Sequence, residues 1–181
     1  MVVGRAPVGT SGRNTREQVA SQLTVTGMYS LVRHPLYLGN YLIIIGITLW
    51  LHNWWLVLLT SCGFALYYER IMLAEEVFLR TKYGEAFENW AAVTPAFIPK
   101  WRGWKASPNS FCWRTVLQRE YNAFILIIAV FWLFDLIGDS IAERRFHVPP
   151  DWLWVFIVGL VIAGTLRYLK KCTHVLDVEG R

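Results

Sequence analysis

The chain has 181 residues, of which 55% are hydrophobic and 17% are charged, and its formal net charge is +5. In a soluble domain about a quarter of the residues are usually charged, so the charged fraction here is low for a soluble protein. Basic and aromatic residues do not interleave as they do on a base-stacking surface, and we therefore expect no nucleic-acid partner.

The first 22 residues are rich in Gly, Ser, Thr, Asn and Arg. They lack the apolar core of a signal peptide. We predict a cytoplasmic N-terminal loop over residues 1–22.

Four apolar blocks follow, at residues 37–51, 54–68, 121–137 and 152–169. A bilayer core takes roughly 20 helical residues, which the last two blocks approach. The first two are short, and only His52 and Asn53 separate them, so we predict a tight helical hairpin through the membrane. The alternative, core helices of a soluble bundle, fits these lengths less well. The fold class predicted is an all-α integral membrane protein with about four transmembrane helices.

The segment between the second and third blocks predicts amphipathic cytoplasmic helices. Apolar residues keep a helical spacing over residues 69–82, which indicates that the second helix continues beyond the membrane. Gly84 is expected to end it, and residues 86–92 predict a further short amphipathic turn before Pro95 and Pro99. Residues 100–119 are basic and aromatic, as is typical of a segment on a membrane surface.

The basic residues predict the orientation. Of the 18 Lys and Arg residues, all but Arg144 and Arg145 fall in the N-terminal segment, the long central loop or the C-terminal tail. Basic residues concentrate on the cytoplasmic side of membrane proteins. We therefore expect an integral protein of a bacterial inner membrane, with both termini and the central loop in the cytoplasm and the positive charge attracted to anionic lipid.

Two polar clusters flank the hairpin, at residues 29–41 and 69–83. Helices of equal length joined by a tight turn bring their outer ends side by side. We expect a mixed-charge pocket at the lipid boundary, suited to a zwitterionic or cationic cofactor beside a membrane-dissolved substrate. The side chains that would form it are Tyr29, Arg33, His34, Tyr37, Glu69, Arg70, Glu75 and Glu76.

Each of these residues also has a simpler interpretation. Arg33 and His34 could be ordinary interfacial flanks. Glu76 could form an exposed i, i+4 pair with Arg80, and of the two glutamates Glu76 fits this solvated interpretation better. The cysteines and histidines show no paired ligand spacing, so we expect no metal site.

The order of these motifs resembles the isoprenylcysteine carboxyl methyltransferase and phospholipid methyltransferase superfamily of integral membrane enzymes. Residues 33–39 match its arginine-histidine-proline-x-tyrosine-x-glycine signature at every fixed position. Residues 23–29 resemble the segment that precedes this signature in the family. Glu75 and Glu76 match its paired glutamates. Residues 82–87 and 95–99 match its closing pattern, so the resemblance extends over residues 23–99, the predicted methyltransferase core.

The resemblance implies S-adenosyl-L-methionine as the cofactor. The positions that it implies for binding are Leu23, Thr24, Tyr29, His34, Pro35, Leu36, Tyr37, Gly39, Glu75 and Glu76, with Asn14 as a further upstream contact. The catalytic residues that it implies are His34, Glu75 and Arg70, although the family's substrate-facing arginine would align in strict register with Ile71.

The chain departs from the family pattern at both ends. The family usually carries membrane spans before the signature and ends soon after the 95–99 pattern, whereas here a short segment precedes it and two spans follow within residues 120–181. Either the chain is an N-terminally shortened relative, or the last two spans replace the missing helices.

The expected activity is methyl transfer to a lipid or prenylated acceptor in the bilayer, most like isoprenylcysteine carboxyl O-methylation. Methylation of a phospholipid amine or phosphate is the alternative within this chemistry. A hypothesis of another class is a non-enzymatic membrane scaffold or a small oligomeric transporter.

Overall fold

The computed structural model describes residues 3–5, 22–142, 144 and 150–173. Within these residues the chain is all-helical and has no β-strand, which confirms the predicted fold class. The five α-helices are α1 (Pro35–Trp50), α2 (Trp54–Tyr83), α3 (Glu85–Val93), α4 (Trp113–Ala142) and α5 (Pro150–Cys172). They fall into two compact units, Met1–Ser110 and Phe111–Arg181.

The first unit contains the predicted hairpin of α1 and α2. Pro35 occupies the first turn of α1, where its missing N–H is not needed. The connecting turn ends at Asn53, whose side chain accepts a hydrogen bond from the Leu56 N–H and so caps α2. The register of the two helices is fixed further along by Tyr41, whose hydroxyl donates to Ser61 Oγ over 3.1 Å.

Helix α2 continues without interruption for 30 residues, so the predicted extension over residues 69–82 is confirmed. Gly84 ends it with a φ of 51°, a value that favours glycine. The chain then turns into α3, which replaces the short amphipathic turn predicted at 86–92 with a slightly longer helix. Phe87 of α3 is fully buried.

Residues 95–105, here called the strap, run beside residues 27–34. Four backbone hydrogen bonds join the two segments. They run from the N–H groups of Arg33, His34, Lys100 and Gly27 to the carbonyls of Pro95 (2.8 Å), Ala96 (3.2 Å), Leu31 (3.0 Å) and Lys105 (2.7 Å), respectively. The strap therefore fixes the backbone immediately before α1.

The second unit contains α4 and α5, the two helices predicted from the last two apolar blocks. Gly159 of α5 packs closely on α4, since a methyl group placed there would lie 3.0 Å from the Ile128 side chain. Trp132 and Phe156 stack with ring centroids 4.8 Å apart. Helix α4 begins at Trp113, so the end of the segment predicted to lie on the membrane surface (100–119) is helical.

Three helices among the described residues are long and apolar enough to cross a membrane, and they lie at Trp54–Tyr83, Trp113–Ala142 and Trp152–Cys172. Helix α1 is apolar but shorter, with 16 residues. At about 1.5 Å per residue it is roughly 24 Å long, less than a typical hydrocarbon core of about 30 Å. These helices support the coarse prediction of an integral membrane protein.

Candidate active site

His34 is the residue around which the polar groups gather. It is the N-cap of α1, and only 4% of its side chain is exposed. Its backbone N–H donates to Ala96 O of the strap. Because Pro35 disfavours helical geometry in the residue before it, His34 leaves the helix and its ring turns toward α2.

The imidazole of His34 lies between two carboxylates of α2. Its Nε2 is 3.0 Å from Glu76 Oε1 and its Nδ1 is 3.6 Å from Glu75 Oε2. Consecutive residues on an α-helix point about 100° apart, which lets these neighbouring side chains reach opposite edges of one ring. The paired glutamates thus contact both ring nitrogens.

Two further side chains complete the cluster. The Tyr37 hydroxyl donates to Glu75 Oε2 over 2.9 Å, and the Tyr37 ring stacks on His34 with centroids 5.5 Å apart. Arg33 Nε lies 3.2 Å from Glu76 Oε1 in an ion pair. We call Arg33, His34, Tyr37, Glu75 and Glu76 the histidine–glutamate cluster.

The simpler interpretation of Glu76, a solvated side chain paired with Arg80, is wrong. Its side chain is 16% exposed, against 37% for Glu75. Arg80, its expected i, i+4 partner, instead pairs with Glu88 of α3, where both side chains are more than half exposed. Glu76 instead contacts Arg33 and His34, which lie directly before α1.

Tyr29 lies in a short 3₁₀ turn, Met28–Ser30, just before the cluster. Burial, and after it the negative charge of Glu75, raise the pKa of the Tyr29 phenol above its ordinary value. The Tyr29 carbonyl accepts a hydrogen bond from Trp90 Nε1 of α3 over 3.0 Å. This turn is therefore tied to α3 on one side and electrostatically coupled to Glu75 on the other.

The other predicted binding positions surround the start of α1. Leu23 and Thr24 are half-buried in the irregular loop that precedes the 3₁₀ turn. Pro35 is buried and Leu36 half-buried in the first turn of α1. Beside Gly39, a methyl group would meet no protein atom within 4 Å, so that side of α1 has open space. Asn14 lies outside the described residues.

Arg70 is not brought into the cluster. It is exposed on α2, five positions before Glu75, and at about 100° per residue the two side chains point about 140° apart. Ile71, which occupies the strict position of the family's arginine, points within about 40° of Glu75 and is half-buried. Glu69 is likewise exposed.

Sequence reasoning did not identify the strap or Trp90 as supports of the site. The 95–99 pattern matches a motif, but nothing in it indicates that the carbonyls of Pro95 and Ala96 accept hydrogen bonds from the N–H groups of Arg33 and His34. Backbone pairing between irregular segments leaves no side-chain signature. The indole N–H of Trp90 is a donor that requires a partner when buried, and this was the one available signal.

The cluster offers acceptor oxygens and aromatic faces at one place. Carboxylates make charge-assisted hydrogen bonds to hydroxyl and ammonium donors, which are stronger than neutral ones. The rings of Tyr37 and Tyr68, with centroids 5.2 Å apart, provide faces that attract a cation. Within the part of the chain that the structure describes, no group of three or more His, Cys, Asp or Glu side chains is arranged to hold a metal ion.

Comparison with known proteins gives a consistent picture. The model of the phospholipid methyltransferase family matches residues 9–86. The chain is 36% identical over 90 residues to the nickel-cobalt-cadmium resistance protein NccN of Alcaligenes xylosoxydans xylosoxydans, a match covering 50% of this chain and 39% of that protein. It is 33% identical over 124 residues to the cobalt-zinc-cadmium resistance protein CzcN of Cupriavidus metallidurans, covering 65% and 56%.

A third relative is a named enzyme. The chain is 30% identical over 77 residues to the protein-S-isoprenylcysteine O-methyltransferase of Schizosaccharomyces pombe, covering 42% of this chain and 33% of that protein. The aligned segments thus span about a third to just over a half of the relatives' lengths. No solved structure matches the chain. The match of the family model to residues 9–86 confirms the resemblance to the phospholipid methyltransferase superfamily found in the sequence.

Proposed function

We propose that this chain is a membrane methyltransferase that moves the methyl group of S-adenosylmethionine to an acceptor dissolved in the bilayer. The observation that carries the proposal is the histidine–glutamate cluster, in which His34 contacts Glu75 and Glu76 at the end of an apolar hairpin. The cluster lies within the segment that matches the family model. The family and the isoprenylcysteine methyltransferase relative support methyl transfer as the reaction class.

The hydrogen-bond acceptors and aromatic rings at this site fit this cofactor. S-Adenosylmethionine carries an ammonium, a sulfonium and ribose hydroxyls, and Glu75 and Glu76 offer acceptors for such donors. The Tyr37 and Tyr68 faces suit the cationic sulfur. We propose that Leu23, Thr24, Tyr29, Pro35, Leu36 and Gly39 line the same site. When bound, the cofactor supplies an already activated methyl group.

The contribution of the protein is then alignment and exclusion of water. Direct displacement at a methyl group depends on holding the acceptor in line with the breaking bond. The tied backbone of His34 and the Tyr37–Glu75 hydrogen bond give fixed positions for this purpose. The apolar hairpin below the cluster keeps water from the reacting atoms.

The chemistry of the acceptor decides whether a proton must be removed. A carboxylate, as on a prenylated cysteine, or a lipid phosphate is already a nucleophile and needs no base. A phospholipid amine must first lose a proton, and His34 or Glu75 could accept it. We favour the carboxylate because the enzyme relative is named for isoprenylcysteine O-methylation, and we keep the phospholipid amine or phosphate as the alternative.

A scaffold or a small oligomeric transporter is the alternative of another class. It requires no cofactor, so a binding titration separates it from the enzyme. Purified protein in lipid nanodiscs is titrated with labelled S-adenosylmethionine, and saturable binding that His34→Ala weakens supports the enzyme. The absence of binding by folded protein overturns the proposal.

The acceptor is identified from cells. Lipid extracts of cells with and without the gene are compared by mass, and a gain of one methyl on one lipid class identifies the acceptor. Two relatives are named for metal resistance. In a second arm, the growth of cells with and without the gene is therefore compared in the presence of cobalt and cadmium. A His34→Ala strain, which retains the protein without the proposed activity, is the control in both arms.

A further inference from the structure

The outer surface of the strap combines exposed aromatic and basic side chains. Trp101 is 99% exposed and Ile98 78% exposed, and Trp104 is also exposed. Arg102 lies between the two tryptophans and Lys105 directly follows Trp104, and both basic side chains are exposed. Lys100 differs from these cations, because its ammonium donates to Val93 O and so completes the end of α3. The strap therefore presents Trp and cationic side chains together, and among the described residues Trp101 is almost fully exposed.

The position of the strap brings this surface to the level of the helix ends. Its backbone pairs with Arg33 and His34, the residues directly before α1. Its Phe97 packs on Tyr41 of α1 and on Phe64 of α2, with ring centroids 5.6 Å and 6.1 Å apart. Since Phe97 contacts the apolar hairpin, the residues that follow it leave the hairpin at its polar end.

We propose that Ile98, Trp101, Arg102, Trp104 and Lys105 dock on the bilayer surface and bind the headgroups of anionic phospholipids. Tryptophan is enriched at the boundary between hydrocarbon and headgroups. Lysine and arginine beside that boundary are attracted to anionic lipid. A surface that alternates the two residue types satisfies both preferences in one segment.

The bilayer is a better occupant than a protein partner. Helix α2 of the same unit is long and apolar enough to cross a membrane, so a bilayer is adjacent to this end of the hairpin. The interfaces of protein partners are depleted in lysine at their centres, whereas Lys105 lies directly beside Trp104. The positive charge of the surface also matches anionic headgroups.

Docking of the strap would stabilise the proposed active site, but docking itself does not require that site to be active. The carbonyls of Pro95 and Ala96 hold the backbone of Arg33 and His34, so a strap fixed on the bilayer fixes the histidine–glutamate cluster. The inference goes beyond the proposed function, because docking requires neither cofactor nor acceptor and is measured without them.

The experiment measures the depth of the strap in the full chain. Cys62, Cys112 and Cys172 are replaced by Ser, and Ala106→Cys next to the surface carries a nitroxide label. The protein is placed in nanodiscs of phosphatidylcholine alone or mixed with phosphatidylglycerol. Collision of the label with lipid-soluble oxygen is compared with collision with a water-soluble nickel chelate. We expect phosphatidylglycerol to shift the ratio toward oxygen and high salt to reverse the shift.

Two variants distinguish charge from apolar insertion. Arg102→Gln/Lys105→Gln should lower the docked-to-undocked ratio about five-fold per cation in phosphatidylglycerol, with little change in phosphatidylcholine. Trp101→Ala/Trp104→Ala should lower it in both lipids. Arg167→Gln/Lys171→Gln removes the same charge from α5 and should leave the ratio unchanged.

Two results would overturn the inference. One is a label that the nickel chelate reaches equally in both lipids and in every variant. The other is a label protected from both reagents whatever the lipid, because a protein then covers the surface. Each result stands whether or not the protein binds S-adenosylmethionine, so failure here and failure of the proposed function are told apart.

Discussion

His34 Nε2 and Glu76 Oε1 lie 3.0 Å apart although 42 positions separate the residues in sequence. The hairpin closes this distance, since His34 precedes α1 and Glu76 lies on the extended part of α2. Arg33 adds a positive charge 3.2 Å from the same oxygen. The cluster therefore depends on the register of two apolar helices, and each of its members can be tested separately.

The half-buried position of Glu76 between Arg33 and His34 predicts a stability role. Glu76→Ala leaves Arg33 and His34 without their shared partner, and losing a charged hydrogen-bond partner at such a site costs about 2 kcal/mol. We expect a clear fall in the midpoint of thermal unfolding in detergent. Glu88→Ala, which breaks the exposed Arg80–Glu88 pair, should shift the midpoint little, because exposed pairs contribute less than about 1 kcal/mol. Equal shifts for the two variants would contradict this assignment.

The Tyr37–Glu75 hydrogen bond predicts coupling between the two side chains. Tyr37→Phe removes only the hydroxyl and should weaken binding of S-adenosylmethionine by about 1 kcal/mol, or roughly five-fold. Glu75→Gln should weaken it more, because the charge is lost as well. In the double variant the effects should fall short of their sum, which a double-mutant cycle measured by calorimetry would reveal. Full additivity would show that the hydrogen bond does not support binding.

Arg70 provides a test of the family's arginine position. Because Arg70 points away from Glu75, we expect Arg70→Gln to leave cofactor affinity unchanged. Ile71→Arg places a cation in the strict family register and should change acceptor affinity rather than cofactor affinity. A large loss of cofactor affinity in Arg70→Gln would show that the arginine reaches the cluster.

Trp90 is expected to position Tyr29 rather than to contact the reaction. Trp90→Phe retains an aromatic ring beside Phe87 but loses the N–H that donates to Tyr29 O. We expect about a five-fold loss of cofactor affinity, as for one neutral hydrogen bond of about 1 kcal/mol. The unfolding midpoint serves as the control for a general loss of stability. If affinity is retained, the Trp90–Tyr29 bond does not position the site.

Local patterns predicted much of this architecture. The apolar blocks predicted α1, α2, α4 and α5, and Pro35 and Gly84 marked where helices begin and end. The tight turn at His52 and Asn53 predicted that His34 and the paired glutamates would meet, as the structure shows. These features depend on neighbours in sequence or on one short connection.

The features that sequence reasoning missed depend on distant backbone contacts. The strap pairs with residues 27–34 through main-chain groups, which every residue type except proline can supply as donors. The partial burial of Glu76 follows from the placement of Arg33 and His34 across the hairpin, whereas the pattern of its own helix suggests an exposed pair with Arg80. Such outcomes need the three-dimensional register and not the pattern alone.

The most direct test of the central claim is equilibrium binding of labelled S-adenosylmethionine to the wild-type protein and to His34→Ala, both folded in lipid nanodiscs. His34 contacts both glutamates and stacks on Tyr37, so its loss removes the centre of the cluster. We predict saturable binding by the wild type and at least about ten-fold weaker binding by the variant, from the loss of charge-assisted contacts. Equal affinity in the two proteins, or no saturable binding by the wild type, would contradict the account.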